Sequence, residues 1–131
     1  MATWADLVQF IRTEYEVVAR TEDEIRIEFT WEDEDRSQVM IISREVLDRR
    51  YEWVQILTPM GLVKDVDLPR LMESIGESSM IGGAAIMGDH VILRHSLPLE
   101  NLDINEFVDP LTLIAGTADN LESEFWGGDD Y

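Results

Sequence analysis

The sequence predicts an α+β fold, in which helices pack on an antiparallel sheet in the order α-β-β-β(-β)-α-β-β-α. Two patterns predict this class. Apolar and polar residues alternate along the predicted strands, and apolar residues recur three and four positions apart along the predicted helices. The 131 residues suffice for one domain. We therefore expect a single domain over residues 1–126, followed by a flexible acidic tail over residues 127–131.

The first half of the chain predicts one helix followed by strands. Thr3 caps a helix over residues 3–13, with Leu7 and Ile11 on its apolar stripe. The strict alternation from Ile25 to Trp31 indicates a strand with one buried face. Strands are predicted over residues 15–20, 25–31, 37–47 and 51–59. Parts of the last two are apolar on both faces, so we expect both faces of the sheet to be covered, one by helices and the other by a subunit or a ligand.

The middle of the chain predicts a short helix and a two-stranded hairpin. The segment Pro59–Gly61 ends the preceding strand, and Asp67 caps a helix that stops at Gly76. The residues from Gly82 to Met87 form a strand rich in small residues. A turn then leads into the last strand, over residues 91–97.

The end of the chain predicts a long helix with an apolar stripe. Asp103 and Glu106 are placed to cap its first turn. Pro110 either kinks this helix or restarts it with Asp109 as a second N-cap. Gly116 weakens the helix by about 1 kcal/mol relative to alanine, so we expect it to mark a place of close packing.

The charge balance excludes several classes of function. The 28 acidic and 10 basic residues give a net charge of −18, which opposes binding to nucleic acid and to anionic membranes. The absence of cysteine excludes disulfides, thiol catalysis and cysteine-based zinc sites. No apolar run reaches the length of about 18 residues typical of a transmembrane helix, and the N-terminus lacks the basic region of a signal peptide. We expect a cytoplasmic protein.

One segment of the chain is basic. Residues 36–50 carry four arginines against Glu45 and Asp48, whereas the segments on both sides have an excess of acids. These arginines either neutralise acids within the fold or across a dimer, or they form a basic spot that receives an acidic peptide. The sequence leaves both interpretations open.

No catalytic or metal-binding motif is present. His90 and His95 lie five residues apart, which places them on opposite faces of a strand. The chain contains no phosphate-binding glycine loop, no nucleophile elbow and no calcium loop. Among 28 acids, nothing selects one pair for acid–base catalysis. We therefore expect no enzymatic activity, no metal and no organic cofactor.

The tryptophans and methionines offer material for a binding surface. Aromatic side chains next to methionine suit peptide grooves. We predict that Trp4, Phe10, Trp31 and Trp53 line an apolar groove between the first helix and the sheet, where they bind a peptide. The alternative is that all of them belong to the core.

Several segments, taken in order, resemble the YbjN-like family, whose fold is shared with class I type III secretion chaperones. They are Ser43–Leu47, Glu52–Pro59, Gly88–Arg94, Leu97–Leu99 and Ile114–Asp119. The resemblance covers nearly the whole chain. It implies a cytosolic, often dimeric and non-enzymatic protein that binds extended segments of partner proteins, and it supplies no catalytic residues.

Three hypotheses of function follow. The first is a chaperone-like module that forms a homodimer and binds an extended segment of a partner protein. The second is an acidic regulator or inhibitor of a basic partner, which mimics the charge of nucleic acid. The third is an enzyme that uses carboxylates, for which a deep pocket is required. The first is the prediction, and the second is its main alternative.

Overall fold

In a computed structural model, helices alternate with groups of strands along the chain. The structure describes residues 3–31, 35–78 and 81–127. Within these residues it contains three α-helices, six strands and one short 3₁₀ turn over Val63–Asp65. In chain order the helices and strands are α1 (Trp4–Glu14), β1 (Glu16–Arg20), β2 (Glu24–Trp31), β3 (Arg36–Leu47), β4 (Tyr51–Leu62), α2 (Leu68–Glu77), β5 (Gly83–Met87), β6 (His90–Pro98) and α3 (Ile104–Phe125).

All the strands belong to one antiparallel sheet with the order β1-β2-β3-β4-β6-β5. The strands from β1 to β4 pair with their neighbours in sequence. After α2, the chain returns so that β6 pairs with β4 and β5 pairs with β6. In the described part of the chain, β1 and β5 are therefore the edge strands. The predicted α+β class and the order of elements are confirmed.

The helices pack on one face of the sheet, which we call the helix face. Leu7 and Ile11 of α1, Leu71 of α2 and Phe107 of α3 are fully buried. They share one hydrophobic core with alternate residues of the strands, among them Ile25, Ile27, Met40, Ile42, Val54, Ile56, Val91 and Leu93. Because side chains alternate along a strand, the intervening residues point to the opposite face.

Strand β4 is longer than the sequence predicts. The segment Pro59–Gly61 was expected to end it, but the strand continues to Leu62, which pairs with His90 of β6. The ladder shifts register between Pro59 and Gly61, so a bulge accommodates the proline, which has no N–H to donate. The expectation was wrong because pairing with β6, a tertiary contact, overrides the local turn signal.

The helix caps explain where α1 and α2 begin. Thr3 Oγ1 accepts a hydrogen bond from the Asp6 backbone N–H at 3.1 Å, and Asp67 accepts one from the Arg70 N–H at 3.3 Å. Both caps confirm the predicted starts. The predicted stop at Gly76 is one residue too early, since Gly76 lies in the last turn of α2.

Helix α3 runs without interruption through Pro110. The predicted capping box is confirmed, because Glu106 Oε1 accepts from the Asp103 N–H at 2.9 Å and the reciprocal bond is also present. The predicted restart at Asp109 is wrong. Pro110 removes only one backbone donor, and the buried side chain of Leu111 beside it anchors the helix in the core.

Gly116 does not mark close packing. A Cβ built at this position would meet no atom within 4 Å, so the expectation is wrong and the position is open. Of the predicted tail, residues 128–131 lie outside the described residues, as do residues 32–34 of the predicted turn between β2 and β3.

Candidate functional site

The aromatic residues predicted to line one groove lie on both faces of the sheet. Trp4, Phe10 and Trp31 pack against the core on the helix face. Trp53 lies on the opposite face, where it pairs with Glu45 of β3 and Pro98 of β6. The four side chains therefore do not line one groove.

The aromatic side chains on the helix face hold α1 to the sheet. Trp4 Nε1 donates a hydrogen bond to the Glu22 carbonyl oxygen at 2.9 Å, near the start of α1. Near its end, the Tyr15 ring lies 6.3 Å from Phe10 and 6.1 Å from Phe29. Partial burial, together with the nearby Glu14 carboxylate, raises the pKa of Tyr15. These contacts, with the buried residues of α1 beneath them, give these aromatics a structural role.

An apolar groove lies instead between α2 and β5, and we call it the edge groove. It encloses about 330 Å³ and is lined by Leu68 and Met72 of α2, by Ala84, Ala85 and Ile86 of β5, and by Val91 of β6. Met72 is 50% exposed and Ile86 is 56% exposed, although both are large and apolar. Exposed apolar side chains that cluster at a groove are typical of binding sites.

The sequence explains why this groove is open. Leu71 fixes α2 to the core, which leaves Leu68 and Met72 on the side of the helix toward β5. Near its start, strand β5 carries Ala84 and Ala85, whose small side chains do not fill the space beside α2. Larger residues there would close the groove.

The edge groove lies beside the free edge of the sheet. Within the residues that the structure describes, β5 pairs with β6 and with no other strand. Every second residue of such a strand directs its backbone N–H and C=O away from its partner. Proteins usually protect exposed edges with charged residues, proline or a covering segment. Between Gly83 and Met87, β5 contains no charged residue and no proline.

A second apolar surface lies opposite the helix face, and we call it the open face. It includes Val39 and Ile41 of β3 and Trp53 of β4, which are partly exposed. Leu57 of β4 and Ile92 of β6 belong to the same face but are buried, at 8% and 3% exposed. No described helix packs on this face. The predicted cover by helices is confirmed on the helix face, and the cover of the other face by a subunit or a ligand stays a prediction.

Polar side chains interrupt the open face near its centre. With the Gln55 amide oriented by its neighbours, its nitrogen donates to Glu45 Oε1 at 2.8 Å and its oxygen accepts from Arg94 at 3.0 Å. Arg94 pairs across the ladder with Leu57. This hydrogen-bond network therefore lies between apolar residues of the open face, with Gln55 between Trp53 and Leu57 on β4.

A third surface feature is a cleft at the tip of the β3–β4 hairpin, which we call the tip cleft. It encloses about 550 Å³. Its lining residues are Arg44, Val46, Arg49, Arg50, Tyr51, Glu52, Trp53, Pro98 and Glu100. Its three arginines, Arg44, Arg49 and Arg50, belong to the basic segment that the sequence singles out.

One buried ion pair links β3 to α3. Arg36 Nε donates to both carboxylate oxygens of Asp119, at 2.9 and 3.0 Å, and the Asp119 side chain is only 6% exposed. Two further buried polar groups of the sheet pair with each other, since Gln38 Nε2 donates to Thr58 Oγ1 at 2.8 Å. Sequence reasoning missed both pairs, because their members lie far apart in the chain.

The described residues offer no arrangement suited to metal chemistry. Across residues 3–31, 35–78 and 81–127, no group of three or more His, Cys, Asp or Glu side chains is placed to hold a metal ion. His95 pairs with Ile56, a residue of the helix face, and His90 pairs with Met87 on the other face, as their spacing predicts.

Comparison with protein-family models, with curated proteins and with solved structures gave no match. Among the described residues, no helix is long and apolar enough to cross a membrane. The resemblance to the YbjN-like family and to secretion chaperones therefore remains an expectation from the sequence.

Proposed function

We propose that this chain is a non-enzymatic module that binds an extended segment of a partner protein in the edge groove. The observation that carries the proposal is an apolar groove directly beside an unblunted strand edge. The segment adds a strand to β5, so that its backbone gains hydrogen bonds and its alternate apolar side chains enter the groove. Strand β5 has five residues, which span about 17 Å of extended chain.

The relative exposure of the groove residues favours this surface over the aromatic residues predicted from sequence. Met72 and Ile86 expose half or more of their surface, so their apolar atoms are available to a ligand without rearrangement of the core. Trp4, Phe10 and Trp31 already pack against that core. A segment that displaced them would have to open the fold.

Ile86→Lys is expected to weaken binding of a selected peptide at least roughly tenfold, because it places a charge at the groove and blunts the edge strand. The peptide is first selected from a random library against the wild-type chain, and its affinity is then measured by titration calorimetry. Val18→Lys is the matched control, since Val18 is an apolar residue, 50% exposed, on the opposite edge strand β1. Equal loss in both variants, or loss in neither, would contradict the proposal.

A chemical variant of the peptide tests the backbone bonds separately. Methylation of alternate peptide nitrogens removes donors without changing side chains, so one of the two alternate methylation patterns should abolish binding and the other should not. If strongly salt-dependent binding of basic peptides is found instead, the chain acts as the acidic regulator of a basic partner.

We also propose that two copies of the chain associate through their open faces. The partly exposed apolar residues there, including Ile41 and Trp53, gain from burial against a second sheet. Ile41→Asp is expected to convert a dimer at micromolar concentration into a monomer, as measured by light scattering after gel filtration. Leu113→Asp, at an exposed position on α3, is the control that should stay dimeric. A monomeric wild-type chain would rule out this association.

A further inference from the structure

The tip cleft combines three arginines with two glutamates, and their charges are not equally engaged. Arg44 Nε donates to Glu52 Oε1 at 2.9 Å, and its Nη1 donates to Asp23 Oδ1 at 3.2 Å. These carboxylates form ion pairs with Arg44 and raise its pKa. Arg49 and Arg50, by contrast, form no ion pair with any carboxylate among the residues that the structure describes.

The backbone at the tip holds Arg49 in a conformation that favours glycine. Asp48 has a φ of 52° and Arg49 a φ of 63°, and the Arg50 N–H donates to the Leu47 carbonyl oxygen at 3.1 Å. These angles and this bond describe a β-turn with positive φ at both central residues, a turn dominated by Gly, Asn and Asp, within a three-residue loop between Leu47 and Tyr51. The chain therefore keeps a cation at a position where glycine would be more stable.

Arg50 is oriented by its neighbour on β4. Its guanidinium carbon lies 4.7 Å from the centre of the Tyr51 ring, and it donates to the Tyr51 hydroxyl at 2.7 Å. A cation held in this way loses less side-chain entropy when it binds an anion. Trp53 and Pro98, which also line the cleft, add flat apolar surface beside it.

We propose that the tip cleft binds a phosphate monoester. Arg49 and Arg50 donate to the phosphate oxygens, and the organic group lies against Tyr51, Trp53 and Pro98. A dianion suits this cleft better than a monoanion, because its lining includes two arginines and one acid, Glu100, that form no ion pair among the described residues. Asp48 and Glu45 lie near this cleft but do not line it. Acids more than about 8 Å away are largely screened in physiological salt.

Three probes test the proposal by titration calorimetry and amide NMR at physiological ionic strength. They are phenyl phosphate, benzoate, which has the same ring with one charge, and inorganic phosphate, which has no ring. We expect phenyl phosphate to bind most tightly and to shift the amide signals of the hairpin tip. Benzoate that binds as tightly would overturn the preference for phosphate and indicate a site for acidic peptides. Inorganic phosphate that binds as tightly would overturn the contact with an organic group.

Two variants locate the site. Arg49→Gly and Arg50→Gln should each weaken phenyl phosphate binding roughly tenfold, the effect of losing one hydrogen bond between charged groups. Arg49→Gly should also raise the Tm by roughly 3 °C, since glycine relieves the turn, so its loss of binding cannot come from unfolding. Arg12→Gln on α1, an exposed arginine that does not line the cleft, is the control with the same charge change. Absence of binding to wild type, or affinities unchanged in both tip variants, would overturn the proposal.

Discussion

Asp119→Ala is expected to lower the free energy of unfolding by about 3 kcal/mol, because it removes the carboxylate that accepts both short bonds from Arg36 and leaves a partly buried charge less well compensated. The Asp119 side chain is 6% exposed and that of Arg36 is 25% exposed, so this pair is much less screened than a surface pair. Urea denaturation followed by circular dichroism measures the change.

The high net negative charge of the chain opposes the expected loss of stability. Removing one acid from a chain of net charge −18 relieves general repulsion, which acts in the opposite direction to the loss of the pair. Asp109→Ala, at an exposed position of the same helix, removes the same charge and should change stability by less than about 0.5 kcal/mol. A loss below about 1 kcal/mol for Asp119→Ala would show that the pair is not a structural link between β3 and α3.

Gly61→Ala is expected to destabilise the fold by about 2 kcal/mol, because the added methyl overlaps the Trp126 indole. The new Cβ would lie 2.3 Å from Nε1 and 2.4 Å from Cε2 of Trp126. The indole must then move and give up its hydrogen bond from Nε1 to the Leu62 carbonyl oxygen, which is 3.1 Å long. Thermal unfolding measures the loss, and a red shift of tryptophan emission reports the displacement.

The same substitution in a chain that lacks the Trp126 indole separates the steric overlap from other effects of Gly61→Ala. In a Trp126→Ala chain, Gly61→Ala should cost little, since the two changes affect the same contact and are not additive. Gly116→Ala is the control for adding a methyl, because a Cβ there meets no atom within 4 Å. Additive costs at positions 61 and 126 would contradict the assigned contact.

The sequence predicts the elements of this fold better than it predicts their ends. Alternation from Ile25 to Trp31 and the capping box at Asp103 are local signals, and the structure contains both features. The end of β4 was misplaced because pairing with β6 and packing of Trp126 over Gly61 are contacts between distant segments. No local pattern contains that information.

The candidate site was harder to predict for the same reason. Period-two alternation shows that Trp31 and Trp53 each belong to one face of a strand, but only the pairing register shows that these faces are opposite. The sequence already shows that β5 is rich in small residues. Their meaning depends on α2 lying beside them with Met72 exposed, which is a tertiary fact.

Amide hydrogen exchange of the complex with a selected peptide tests most directly whether a partner segment adds to β5 in the edge groove. An added strand protects the outward N–H groups of β5 and leaves β1, the opposite edge strand, unchanged. We predict slower exchange at alternate residues between Gly83 and Met87, together with shifted methyl signals of Met72 and Ile86. Binding that leaves β5 exchange unchanged and shifts only the open face or the tip cleft would contradict the account.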